Sequence, residues 1–188
     1  MGIKLVHGIR SLNKGKKTMS GLRDVLRARG HRTVQIVAYG YVLVPLTNSR
    51  AINAVMESVE PGDVVVGYSN GAWAAVQAAE MGLRIRHLVL VSPALHKSHA
   101  FPENVDRIDV LYDPDDTPTR IAKWWRKLTG IFPWRWRNPH GWGEMGRTGY
   151  VGNDSRVFNT RLPKGTGHGW FADADAIVRV ANAVEVKK

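Results

Sequence analysis

Ser69, His168 and the aspartates 113, 115 and 116 are the residues of this chain whose types could together break an acyl bond. Ser69 stands in Gly67-Tyr68-Ser69-Asn70-Gly71, directly after Val64-Val65-Val66 and directly before Ala72-Trp73-Ala74-Ala75. An apolar strand pattern thus runs into Gly-x-Ser-x-Gly and then into small helix formers. This is the sequence form of a nucleophile elbow, a strained strand-to-helix turn that exposes a serine hydroxyl. Gly67 and Gly71 remove side chains where strand and helix come too close for a Cβ. Ala72, Ala74 and Ala75 keep the helix slim against a sheet. An ordinary serine in a Gly-rich turn is the plain alternative. The pentapeptide alone would not exclude it; the strand–turn–helix context speaks against it.

A serine hydroxyl is a poor nucleophile until a base accepts its proton. His168, in Gly165-Thr166-Gly167-His168-Gly169, is the candidate base on a loop supple enough to reach the elbow. A carboxylate must then fix the imidazole tautomer and stabilise its cation. Asp113, Asp115 and Asp116 are all open for that role, and a solvated acidic turn is the plain alternative. His7 reads as structural. His31, His87, His96, His99 and His140 show no paired spacing with carboxylates. His96 and His99 share a loop but lack an evident third ligand, so no metal site is expected. The chain has no Gly-x-x-x-x-Gly-Lys phosphate loop and no Gly-x-Gly-x-x-Gly dinucleotide fingerprint.

With 188 residues, 44% hydrophobic and 23% charged, the chain has the composition of one globular domain spanning 1–188. The absence of cysteine excludes disulfides, thiol catalysis and thiolate metal sites. No stretch reaches the ~18 apolar residues of a membrane span. The first residues lead straight into a strand pattern without signal-peptide shape, so a cytoplasmic location is expected. The formal net charge of +11 would attract nucleic acid or an anionic surface. Solubility explains such a charge equally, and a nucleic-acid partner is not the preferred reading.

Short apolar runs alternate with helical patterns, which argues for a parallel sheet covered by helices on both faces. Strands are expected over 3–7, 33–38, 64–67, 87–91, 108–112 and 157–162. Helices are expected over 18–29, 49–59, 72–81, 119–128 and 173–186. Leu22, Val25 and Leu26 mark the buried side of the first, and Gly30 its end. Residues 130–152 break the alternation. They are rich in Gly, Pro, Trp and Arg, with no period of 2 or 3.6. A loop this long inside a compact domain is functional or disordered as a rule, and its aromatics argue against disorder.

Taken together, these landmarks resemble a small α/β-hydrolase over nearly the whole chain. The first strand ends in His7-Gly8-Ile9-Arg10, like the His-Gly that opens the oxyanion loop in that family. The elbow follows the third strand. The fourth ends Val91-Ser92-Pro93-Ala94, the fifth Tyr112-Asp113-Pro114-Asp115-Asp116-Thr117-Pro118, and the sixth precedes Gly167-His168-Gly169. The order Ser, Asp, His is that of the fold. Two leading strands of the full family are absent, which implies a six-stranded, mainly parallel sheet in the order 2-1-3-4-5-6.

The resemblance implies a serine hydrolase, foremost a carboxylic ester hydrolase without cofactor, acting on a small-molecule or lipid ester. Its spacing favours Asp116 as the acid, with Asp113 and Asp115 still open. It implies an oxyanion hole from the backbone N–H groups of Asn70 and Ile9. The insertion 130–152, between acid and histidine, would form a cap or rim. Trp134, Trp136 and Trp142 would line an apolar pocket beside Tyr68. Arg10, Arg135, Arg137 and Arg147 could meet an anionic group. The equal alternative is that this loop only packs down. Residues 142–150 also resemble small hydrolase-like proteins carried by bacteriophages. The rival function is an inactive hydrolase-shaped protein that binds an anionic partner through its basic surface.

Overall fold

The computed structural model describes residues 2–8, 12–40, 49–116 and 143–185. Six strands lie among them: β1 (Ile3–Val6), β2 (Val34–Val37), β3 (Val64–Tyr68), β4 (Ile85–Val91), β5 (Val105–Tyr112) and β6 (Val157–Arg161). They form one sheet in the order β2-β1-β3-β4-β5-β6, as expected, and every neighbouring pair is parallel. The helices are α1 (Lys16–Ala28), α2 (Ser49–Ser58), α3 (Asn70–Glu80), α4 (Met145–Thr148) and α5 (Ala174–Val184). Short 3₁₀ segments cover Leu12–Gly15 and Gly167–Ala172.

β1 and β3 are buried along their whole length. Strands covered on both faces need no polar face, which is why they read as continuous apolar runs. Alternate side chains divide between two cores. Val6, Val65, Leu88, Leu90, Ile108 and Val110 meet Ala51 and Val55 of α2 and the alanines of α3. Leu5, Val64, Val66, Val89, Val91 and Leu111 meet Met19, Leu22 and Leu26 of α1 and Val180 and Ala181 of α5.

β4 and β5 begin earlier than their apolar runs suggest. Polar residues interrupt the pattern, but the backbones still pair, Ile85 with Val105 and His87 with Arg107. Inside the segment expected to be irregular, Met145–Thr148 forms one helical turn. A single turn is too short to leave a period. The helix expected over 119–128 and the core of the Trp/Arg loop, 130–142, lie outside the described residues. Among the described residues, no helix is long and apolar enough to cross a membrane.

The chain leaves β1 on one side to form β2 and returns on the other to form β3. That reversal makes the carboxyl ends of β1 and β3 the topological switch point, the place where open α/β sheets form a ligand-binding crevice.

Candidate active site

Ser69 follows β3 at that crevice with φ 53° and ψ −119°, a conformation L-residues avoid. The surroundings hold it there. Its N–H donates to Val91 O at 3.0 Å, and its carbonyl accepts from Ala72 N at 3.1 Å and Ala94 N at 3.3 Å. The two elbow glycines are required sterically. A Cβ on Gly67 would lie 2.6 Å from Ala72 Cα, and one on Gly71 would collide with the carbonyl oxygens of Val6 and His7. Helix α3 is thereby seated against the end of β1.

The acid turn is built just as locally. Asp116 N donates to Asp113 O at 2.9 Å, which closes a four-residue turn with Pro114 second. Asp115 sits exposed at the tip, while Asp113 and Asp116 are fully buried. Asp113 Oδ1 accepts from Asp115 N at 3.0 Å, so the Asp-Pro-Asp-Asp run makes its own side-chain turn. From α4, Gly146 O accepts from Asp113 N at 2.9 Å, and Arg147 Nε donates to Pro114 O at 3.1 Å. Arg147, considered above for an anionic group, here braces the acid turn.

His168 arrives on the 3₁₀ segment Gly167–Ala172. Trp170 anchors that segment, fully buried in the core between the sheet and α5. Gly167 N donates to Asp113 Oδ2 at 2.6 Å, and Tyr68 Oη donates to His168 O at 2.7 Å. Burial, with the Asp116 charge adding to it, pushes the Tyr68 phenol well above its ordinary range, so the hydroxyl keeps the proton it donates. Tyr68, expected among substrate contacts, thus has its polar end on the histidine segment.

The three candidate side chains meet. His168 Nε2 is 2.9 Å from Ser69 Oγ, and His168 Nδ1 is 3.0 Å from each oxygen of Asp116. These separations suit proton transfer from the hydroxyl to the ring, with the carboxylate orienting the ring. Of the three aspartates considered, Asp116 is the one hydrogen-bonded to the His168 ring.

Asn70 opens α3, so its N–H is among those a helix leaves without an internal acceptor. Its own side chain is buried, and neither polar atom has a hydrogen-bond partner among the described residues. Gly8 lies so close to the elbow that a Cβ on it would sit 3.1 Å from Ser69 Cβ. Ile9 and Arg10, together with Trp134, Trp136 and Trp142, lie outside the described residues.

His7 is buried, with its ring stacked on Tyr39 at 3.8 Å. Its carbonyl accepts from the Tyr39 hydroxyl, and its Nδ1 lies 2.8 Å from Gly8 O. Burial lowers its pKa, against hydrogen bonds between the ring and the backbone of Gly8 and Tyr39. Three histidines without paired spacing do meet carboxylates in space: His87 with Asp109 at 2.6 Å, His31 with Glu185 at 3.0 Å, and His99 with Glu80 at 3.1 Å. These pairs cross between separate elements, so local spacing could not disclose them. The sequence offers Asp113 only as a possible acid. Its link to Gly167 spans 54 residues and left no local signal beyond the Asx-turn pattern.

No protein-family model matches the chain, and no curated protein matches it. Solved structures do. A structure described as a hydrolase from Agrobacterium vitis superposes with a TM-score of 0.59 at 15% identity, covering 97% of this chain and 86% of that one. One described as a YdeN-like hydrolase from Pectobacterium atrosepticum gives 0.56 at 16% identity, covering 98% and 90%. Alpha/beta hydrolase domain-containing protein 10 from mouse gives 0.54 at 14% identity, covering 96% and 87%. At these identities the likeness concerns the fold. Strand order, elbow position and these superpositions agree, and the chain has the α/β-hydrolase fold in a small, six-stranded form.

Proposed function

We propose that the chain, acting as a single domain, is a serine hydrolase that cleaves carboxylic esters through an acyl-enzyme. The observation that carries this reading is the unbroken hydrogen-bonded path from Ser69 through His168 to buried Asp116, with Ser69 held on a strained elbow. As Ser69 Oγ attacks the ester carbonyl carbon, its proton passes to His168 Nε2. Asp116 accepts from Nδ1–H and stabilises the imidazolium. The backbone N–H of Asn70 and that of Ile9 hold the oxyanion. The closeness of Gly8 to Ser69 supports the second donor. The imidazolium then protonates the departing alcohol. Water, giving a proton to His168, attacks the acyl carbon; the acid leaves as the Ser69 Oγ–acyl bond breaks and His168 returns that proton to Ser69 Oγ. These steps move only protons and acyl groups and call for no cofactor.

The substrate class is a small-molecule or lipid ester. Arg10, Tyr68, Trp134, Trp136 and Trp142 are the proposed contacts around it. A panel of p-nitrophenyl esters of rising acyl length, run with the chain and its Ser69→Ala variant, tests the proposal. Turnover that disappears in the variant is expected, and a preference for short chains would indicate a small pocket. No turnover with any ester would favour the binder of an anionic partner.

A further inference from the structure

Asp113 is fully buried, and each of its oxygens accepts a backbone N–H from a different loop. Oδ1 takes Asp115 N at 3.0 Å, inside the turn that presents Asp116. Oδ2 takes Gly167 N at 2.6 Å, one residue before His168. The second bond is short and charge-assisted, and it joins two segments 54 residues apart. Gly167 adopts φ 57°, so the chain makes its left-handed step at the residue whose N–H this carboxylate holds. Asp113 is itself tied down, because its N–H donates to Gly146 O of α4 at 2.9 Å.

We infer that Asp113 is a positioning residue that clamps the acid turn to the histidine segment and so sets the approach of His168 to both Asp116 and Ser69. This rests on the proposed function, because it assumes that the Ser69–His168–Asp116 path does the chemistry. Only a fixed acceptor with two lone-pair-bearing oxygens satisfies both N–H groups. An apolar residue would leave both N–H groups without this acceptor and the loops unlinked. Tyr68 holds the carbonyl of His168 from the other side, at 2.7 Å. Without Asp113 that bond and the Trp170 anchor remain, but Gly167 loses its tie to the acid turn and the start of the segment can shift. The ring then samples orientations in which Nε2 misses Ser69 Oγ. Asp113 is fully buried and both its oxygens are taken by backbone N–H groups, so its removal should act on kcat and leave KM alone.

The test compares Asp113→Ala and the near-isosteric Asp113→Asn, each in the wild-type and the Asp116→Asn background. Turnover of p-nitrophenyl acetate is measured well below each variant's melting temperature. Asp113→Ala should lower kcat about 10- to 100-fold with KM within about twofold, a loss typical of small misplacements of catalytic groups. Asp113→Asn keeps one acceptor oxygen and should lose less. In the Asp116→Asn background, where the ring has already lost its orienting carboxylate, the same changes should cost no more than about threefold, since residues acting as one unit are not additive. Should Asp113→Asn and Asp113→Ala lower the melting temperature but leave kcat intact, the clamp is structural only and the inference fails. Equal fold-losses in both backgrounds would also overturn it. If Asp116→Asn alone leaves kcat unchanged, the functional reading itself falls, which is a separate and distinguishable result.

Discussion

Ser69 Oγ and His168 Nε2 are 2.9 Å apart, although 99 positions separate them along the chain. The serine is fixed by a strained turn between β3 and α3. The histidine is fixed by a 3₁₀ segment pinned through Asp113, Tyr68 and Trp170. Two independent local structures therefore converge on one hydrogen bond.

The strain at Ser69 separates stability from activity. Ser69→Ala and Ser69→Gly both remove the hydroxyl, so both should lose on the order of 10⁶ in kcat. Only glycine relieves the positive φ, which costs about 1–3 kcal/mol for an ordinary residue, partly offset by the ~0.5–1 kcal/mol that glycine's flexibility costs on folding. Taking the middle of that difference, about 1 kcal/mol, Ser69→Gly should melt about 2–4 °C above Ser69→Ala. Thermal unfolding of the two variants checks this; an equal or lower melting temperature for the glycine variant would mean that the elbow carries no such strain.

The three aspartates should separate sharply. Asp116→Asn is expected to lower kcat by ~10⁴ through loss of the correct imidazole tautomer. Asp115→Asn, at the exposed tip of the turn, should change it less than about threefold. Steady-state kinetics on the two variants decide the assignment. A larger loss from Asp115→Asn would move the acid role there.

Much of this fold was legible because parallel strands buried on both faces must be apolar throughout, as Val64-Val65-Val66 is. The elbow was legible because Gly67 and Gly71 answer a steric demand made by their immediate neighbours. The choice among the three aspartates was not settled by composition, since all are acidic and adjacent. It follows from a turn in which Pro114 and Asp115 occupy the middle, leaving Asp116 beside the histidine. Helix α4 left no trace because one turn has no period. The Asp113–Gly167 and His87–Asp109 links join residues brought together only by the completed sheet.

Gly67 should tolerate no side chain. A Cβ there would press on Ala72 Cα at 2.6 Å and Ala72 N at 2.9 Å, both backbone atoms that cannot move aside cheaply. Gly67→Ala is expected to destabilise by about 3 kcal/mol, or about 6–12 °C in melting temperature. Calorimetry checks it; an unchanged melting temperature would mean that α3 is not seated tightly on the strand.

His7 makes the fold sensitive to acid. Burial holds its pKa below the usual value of 6.5, outweighing the hydrogen bonds to Gly8 and Tyr39 that act the other way. A ring depressed in the folded chain binds its proton more readily after unfolding. Its contribution is therefore fully present above about pH 6.5 and is lost as pH falls through the folded value. The melting temperature should drop between about pH 7 and pH 5, a range that brackets the ordinary histidine pKa, and should drop less in His7→Gln. His99, likewise lowered by burial against its Glu80 partner, adds a slope of the same sign in both proteins. Identical slopes would show that His7 does not titrate with unfolding.

The nucleophile itself is tested most directly by covalent labelling. The chain is treated with a fluorophosphonate probe, digested, and the modified peptide mapped by mass spectrometry. The expected result is a single phosphonyl adduct on Ser69 that disappears in Ser69→Ala and forms far more slowly in His168→Ala. An adduct on another serine, or no adduct on Ser69 in the folded wild-type chain, would contradict the proposed hydrolase mechanism.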